Sequence, residues 1–421
     1  MRASERPSTA SVMMRLTGLL LLAVCALAAC SAIPRRPAPP TLIAPVAPVG
    51  FPAAVRFLGY DRDSFLKHAD ETVGRLGAAA GGGPIRALAL SGGGAGGAFA
   101  AGALIGMTRR GDRTQFDVVT GVSTGALVAP FAFLGPAWDA ELKEAFDSYR
   151  PQRLLKPRGW LAFLFLPGYY RGEPLVDLVD HFVTDRLIQA VAEQAAKGRL
   201  LLVATTDLDK EEAVIWDMGA IAATGGEGAR ELFRDVLIAS ASIPGLFPPV
   251  LIHVEGEGVT YDEMHVDGGT TQSFFVTSQI AQQEKKHFQV LDSAQVFVLV
   301  NGPLTTYPQT TRQRPVSVLA RSFSAGLTYA SRRTLELTAA FADRNQMDFR
   351  FTYIPVTYPF KGPLDFKFSS MHALFEFGAR CAQAGRLWTT LQQAMNEAEH
   401  AATTIPQQTD ECPVSEELQG N

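Results

Sequence analysis

An excess of charge of either sign is missing from this chain. Its 38 basic and 42 acidic side chains leave a formal net charge of -4 over 421 residues. That balance offers no electrostatic argument for binding nucleic acid or an anionic membrane. A membrane-spanning run is missing too. The best candidate, LTGLLLLAVCALAA from Leu16 to Ala29, is too short for a comfortable span. Cysteine is scarce, four in all, so the chain is no disulfide-dense scaffold. No solenoid-period repeat is visible. What is present is 47% hydrophobic and 19% charged residues, the make-up of a globular protein with a substantial core.

Arg2, Arg6 and Arg15 precede the apolar run and small residues close it, which is the grammar of a signal peptide. The run ends Leu27-Ala28-Ala29-Cys30, which resembles the lipobox of bacterial lipoproteins. The resemblance implies a signal peptide over residues 1–29 and a lipid on Cys30. Ser31, not aspartate, follows the cysteine, which by resemblance favours the outer membrane, with the protein facing the periplasm. The alternative is ordinary secretion with cleavage at an A-x-A-like site. Residues 30–52 hold a proline-dense stretch that reads as an extended tether. The folded domain is expected over 53–402, with a motif core at 85–300 and a helical extension at 301–402. Residues 403–421 read as a polar tail. Cys381 and Cys412 are expected in an oxidising compartment. A bridge between them and two free thiols both remain open, because sequence gives no distance.

Between these ends, β-like runs alternate with helical ones. Ile85–Leu90, Phe116–Thr120, Leu200–Asp207 and Val296–Val300 read as strands. Ala95–Arg110, Thr124–Leu134 and Glu231–Ser240 read as helices, and 315–350 as one or two more. Such alternation implies an α/β fold whose mostly parallel central sheet is covered on both faces. An aromatic, proline-interrupted insertion around 150–175 breaks the pattern. A packed loop or short core helix is preferred there over a lipid-facing lid.

Three motifs carry chemistry. Ser91-Gly92-Gly93-Gly94-Ala95-Gly96-Gly97 follows a strand and opens a helix. Glycine amides at a helix N-terminus suit an anion, whether phosphate or oxyanion. The spacing Gly92, Gly94, Gly97 also satisfies a dinucleotide fingerprint, but no acidic residue ends the next strand to hold a ribose. No Lys-Ser or Lys-Thr follows, so a P-loop is excluded. Gly121-Val122-Ser123-Thr124-Gly125 is G-x-S-x-G between strand and helix, the setting of a nucleophile elbow. Asp267-Gly268-Gly269 places an aspartate on a glycine turn. Alone that is a turn; beside a serine that needs a base it is a candidate.

These motifs, in this order, resemble the patatin-like phospholipase family. A further segment supports the resemblance: Ala239-Ser240-Ala241-Ser242-Ile243-Pro244, then Phe247-Pro248-Pro249. The resemblance implies a three-layer α/β/α sandwich and a serine acyl-ester hydrolase working through an acyl-enzyme. Ser123 is then the nucleophile and Asp267 its base, with Gly92, Gly93 and Gly94 as the oxyanion hole. It requires no metal and no cofactor, and it implies a phospholipid or other acyl-ester substrate. One departure stands out. The family usually carries Arg or Lys after the glycine triplet, where this chain has Gly96. That weakens the phospholipase label more than the hydrolase label. A non-catalytic lipid- or partner-binding lipoprotein is the alternative. A Ser-His-Asp arrangement is not excluded by order, since His287, His372 and His400 follow Asp267, but none sits in a recognisable loop after a strand. His265 reads as a structural histidine.

Overall fold

A computed structural model describes residues 17–18, 35–39, 46–59, 62–148, 150–157, 167–276, 291–306, 310–391, 393–394 and 411–412. Cys30, the signal segment, and most of the tether and tail lie outside them. In chain order the strands are β1 (Ala47–Pro48), β2 (Arg56–Leu58), β3 (Arg86–Leu90), β4 (Val118–Val122), β5 (Leu200–Asp207), β6 (Glu212–Asp217), β7 (Val250–Gly256), β8 (Val259–Asp267), β9 (Gln295–Val300) and β10 (Asp348–Tyr353). The helices used below are α1 (Arg62–Ala80), α2 (Gly97–Arg110), α3 (Thr124–Leu134), α4 (Asp139–Phe146), α5 (Glu173–Phe182), α6 (Asp185–Ala195), α7 (Met218–Thr224), α8 (Gly226–Ser240), α9 (Pro315–Arg344) and α10 (Phe368–Gln383).

All ten strands join one sheet, with the path β1-β7-β8-β5-β4-β3-β9-β10 and with β6 bridging β5 to β2. From β5 through β4, β3 and β9 to β10 the pairing is parallel. The rest is antiparallel: β6 on β5, β2 on β6, and the β7–β8 hairpin with β1. Alternate strand residues serve two cores. Leu88, Leu90, Val119, Leu201 and Val203 face the layer built by α2, α3, α8 and α10, where Phe99, Val128, Phe233 and Phe375 are fully buried. Ala87, Ala89, Val118, Leu200 and Val298 face the other layer, whose apolar partners include Leu76 of α1 and Leu335 of α9. The sheet is covered on both faces, the α/β/α arrangement expected.

The segment expected as a helical extension is more than that. It supplies β10, which adds a parallel strand to β9, and α10, which packs on α2. The packing is backbone-close. A Cβ at Gly102 would lie 1.9 Å from the Phe375 carbonyl oxygen, and one at Gly106 would lie 2.3 Å from that of Ala379. Only glycine allows such an approach. Cys381 on α10 is disulfide-bonded to Cys412, with Cα atoms 5.4 Å apart.

Candidate active site

The pairing along β5 decides the site. β4 runs parallel to β5 and ends at Val122, opposite Ala204. β8 arrives antiparallel and ends at Asp267, opposite Thr205. β6 occupies the other edge of β5 at both positions. The ends of β4 and β8 therefore meet head to head along one edge of β5. Ser123, the residue after β4, faces Asp267, the last residue of β8.

Ser123 has φ 55 and ψ -127, a conformation disfavoured for a residue with a Cβ. Such strain persists only where the surroundings enforce it, and it sits here at a strand-to-helix turn. The close packing needs Gly121 and Gly125. A Cβ at Gly121 would meet Ala126 at 2.7 Å, and one at Gly125 would meet the Leu90 carbonyl oxygen at 2.3 Å. The Ser123 hydroxyl donates to Asp267 Oδ2 at 2.6 Å. Asp267 Oδ1 accepts from the Gly269 amide at 2.7 Å. A Cβ at Gly268 would lie 2.4 Å from the Ala204 carbonyl oxygen. Ser123 is 4% exposed and Asp267 0%. Burial raises the Asp267 carboxyl from its ordinary 3.8 to about 7, although hydrogen bonds from Ser123 and Gly269 oppose the rise.

Two serines whose roles the sequence did not disclose hold this pair. The Ser123 amide donates to Ser240 Oγ at 3.0 Å, and that hydroxyl donates to the Ala204 carbonyl at 2.7 Å. The Asp267 amide donates to the Ser242 carbonyl at 2.9 Å. The segment at the end of α8 thus grips both partners by their backbones. The A-S-x-S pattern was the available signal; the hydrogen bonds were not readable from it.

The glycine loop matches its expected place but not every expected role. The Gly92 amide is already committed to the Ser273 carbonyl at 3.0 Å, so it is not free to receive an oxyanion. The physical reason is that backbone pairing continues past the end of β3: the Ser91 amide donates to the Leu299 carbonyl and the Gly92 amide to that of Ser273. The Gly93 and Gly94 amides have no acceptor among the described residues. Asn301, directly after β9, anchors the loop. Its amide donates to Ser91 Oγ at 2.8 Å, and its Nδ2 donates to the Ser91 carbonyl at 2.7 Å. Asn301 lies beyond the motifs, and no sequence signal singled it out. It also explains Gly96: a Cβ there would lie 2.0 Å from the Asn301 carbonyl oxygen. No cationic side chain fits at that position without moving β9.

No described histidine bonds Ser123 or Asp267. His265 is fully buried. Its Nδ1 lies 2.9 Å from Thr205 Oγ1 and its Nε2 lies 3.3 Å from Glu263 Oε2. His372 pairs with Asp147 at 2.7 Å, and His287 and His400 lie outside the described residues. Among the described residues, two groups have metal-ligand geometry. Asp207, Glu263 and His265 form one, but Arg56 and Lys210 already neutralise it, each reaching Glu263 at 2.5 Å. Asp147, His372 and Glu376 form the other, near the surface, with Lys143 at 3.7 Å from Asp147. Neither includes Ser123 or Asp267.

An apolar cavity of ≈ 50 Å³ opens beside the serine, lined by Gly94, Thr124, Leu127, Phe131, Phe146 and Met371. A larger one, ≈ 290 Å³, lies on the opposite face of the sheet against Leu76, Ala87, Val118 and Leu200, away from the pair.

The site is thus a buried, glycine-framed serine at an elbow with an aspartate as its hydrogen-bond partner. Residues 88–278 match the family model for patatin-like phospholipases. The chain carries a patatin-like phospholipase domain. That family is one of lipid acyl hydrolases. The patatin-like match spans Gly92 to Gly269 and so contains the whole pair with its glycine frame. Among solved structures, VipD from Legionella pneumophila is similar with a TM-score of 0.34 and 11% identity, over 76% of this chain and 70% of that one. No curated protein matches the chain.

Proposed function

We propose that this protein is a serine acyl-ester hydrolase acting on phospholipid or a related lipid ester. The 2.6 Å hydrogen bond from Ser123 Oγ to Asp267 Oδ2, made out of water, carries the reading. A serine hydroxyl is a weak nucleophile until a base takes its proton. Asp267, held near neutrality by burial, is a base matched to that task. As Ser123 Oγ bonds to the ester carbonyl carbon, its proton passes to Asp267. The carbonyl oxygen gains charge toward the free Gly93 and Gly94 amides, each worth about 3 kcal/mol of barrier when well aimed. Collapse breaks the ester C–O bond, and Asp267 returns the proton to the leaving alcohol. Water then attacks the acyl-enzyme and gives a proton to Asp267; the Ser123 Oγ–acyl bond breaks, Asp267 returns that proton to Oγ, and the carboxylic acid leaves. The apolar cavity beside Thr124 is suited to the start of the acyl chain.

Attachment to the outer membrane through a lipid on Cys30, facing the periplasm, belongs to the same reading. It rests on the Leu27-Ala28-Ala29-Cys30 sequence. The test is free fatty acid released from phospholipid vesicles and from a simple acyl ester, by the wild type and by Ser123→Ala. Release that vanishes in the variant supports the reading, and the better substrate names the class. Equal activity in both proteins removes Ser123 as nucleophile. Two folded but inert proteins turn the assignment toward a lipid-binding role.

A further inference from the structure

We infer that the outer face of α9 is a docking surface for an anionic lipid bilayer. The net charge of the chain is negative, but it is not evenly spread. From Arg312 to Arg333 there are five arginines and no acidic residue. None of the five is engaged in an ion pair among the described residues. Val318, Ser322, Ala325, Tyr329, Arg332 and Arg333 recur at helical spacing, and all are exposed. Tyr329 is 70% exposed and Val318 50%, and Leu319 lies beside the stripe at 38%. Of the six exposed large hydrophobic side chains in the described structure, four are on this helix. The combination is an apolar strip whose Tyr329 ring lies under Arg332, with Arg333 beside it, Arg312, Arg314 and Arg321 toward its start and a single acid, Glu336, one turn beyond, a net-basic amphipathic face of the kind that lies in a lipid headgroup layer.

The inner face of α9 shows why this location matters. Leu327 Cδ1 lies 3.7 Å from the Cβ position of Gly92 and 3.3 Å from that of Gly269. The helix therefore roofs the Ser123–Asp267 pair with one face while presenting the other to solvent. Beside it a groove of ≈ 640 Å³ is lined by four cations, Arg312, Arg321, Lys361 and Lys367, and one acid, Asp365, and its floor at Pro363 accepts a hydrogen bond from the Ala95 amide. A bilayer on the outer face would bring anionic headgroups to the mouth of that groove. The charge segregation argues for this occupant over a neutral apolar partner. Each cation near an anionic membrane strengthens attachment about fivefold.

The surface rests on the lipid-ester reading only for its purpose, so its test is made in the inactive Ser123→Ala background. The full chain, carrying Tyr329→Trp, is mixed with vesicles containing a spin-labelled lipid, and quenching of the added tryptophan is read. A chain carrying Leu208→Trp instead, on the β5–β6 turn, is the control. The expected result is quenching at position 329 that is strong with phosphatidylglycerol present, weak with phosphatidylcholine alone, and absent at 208. Adding Arg332→Gln and Arg333→Gln lowers attachment of this face about 25-fold, whereas Arg109→Gln with Lys197→Gln leaves it unchanged. Equal quenching at 329 and 208, equal quenching on both vesicle types, or equal loss with both charge pairs overturns the inference. Because the reading is physical contact, inactivity toward esters does not affect it.

Discussion

At the scale of single residues, the Ser123–Asp267 pair sets the sharpest expectations. Ser123→Ala is expected to lower fatty-acid release by about a thousandfold or more, with an unchanged fold by circular dichroism. Asp267 must be ionised to accept a proton, and burial sets its pKa at about 7. Activity is therefore expected to rise with pH up to neutrality. It should be about a hundredfold lower at about pH 5 than on the plateau, as read in kcat/KM against pH. The same shift has a stability sign. Between 3.8, its ordinary value, and about 7, the folded protein holds a proton that the unfolded chain has released. Stability from this group therefore falls as pH rises through that window, by about 4 kcal/mol in full. Asp267→Asn removes the penalty. Its melting temperature should exceed the wild type above neutrality and match it near pH 4, as calorimetry across pH would show. Ser240→Ala strips the Ser123 amide of its buried acceptor, a loss of about 1–3 kcal/mol, and should reduce kcat more than KM if the elbow is displaced.

At the scale of elements, the glycine loop and the β8 strand frame the pair. Gly96→Arg, which would restore the cation usual in the family, is expected to destabilise rather than improve the protein. The Asn301 carbonyl occupies the space its Cβ needs, and a thermal melt reads the result. The β8 strand is held by Glu263, whose carboxyl burial alone would raise. His265 and Arg56 outweigh burial and keep it well below its ordinary value. Arg56→Met is expected to cost about 3–5 kcal/mol, because it leaves part of that charge buried without its partner. The readout is urea unfolding at neutral pH. Several elements were legible beforehand. The strand Leu200–Asp207 and the helix Thr124–Leu134 stand where composition and pattern put them. The β7–β8 hairpin was not read. Its signal was the Glu257-Gly258 turn, where both residues take positive φ. The β10 strand starts inside 315–350, which reads as one or two helices, and only its alternation DFRFTY marks it.

At the scale of the whole molecule, the Cys381–Cys412 disulfide ties residues 31 apart in sequence. Closing a loop of that length stabilises by about 3–4 kcal/mol on chain entropy. Reduction, or Cys412→Ser, is expected to lower the melting temperature with little effect on kcat, since neither cysteine touches the Ser123–Asp267 pair. Ester hydrolysis measured with and without reductant separates the two effects.

The sequence by itself determined the chemistry of the parts. An elbow serine, an aspartate on a glycine turn and a glycine-rich loop are local patterns, and local backbone sterics are written in consecutive residues. It also determined the fold class, because alternation of strand and helix follows from apolar periodicity. Only the tertiary structure decided which of those parts act together. That β4 and β8 end opposite neighbouring residues of β5 is a matter of register between segments 144 residues apart at the meeting atoms. No local pattern encodes that register. The commitment of Gly92 to Ser273 and the anchoring by Asn301 arise in the same way. They depend on contacts between distant segments, and burial and charge acquire their meaning only when those segments are brought together.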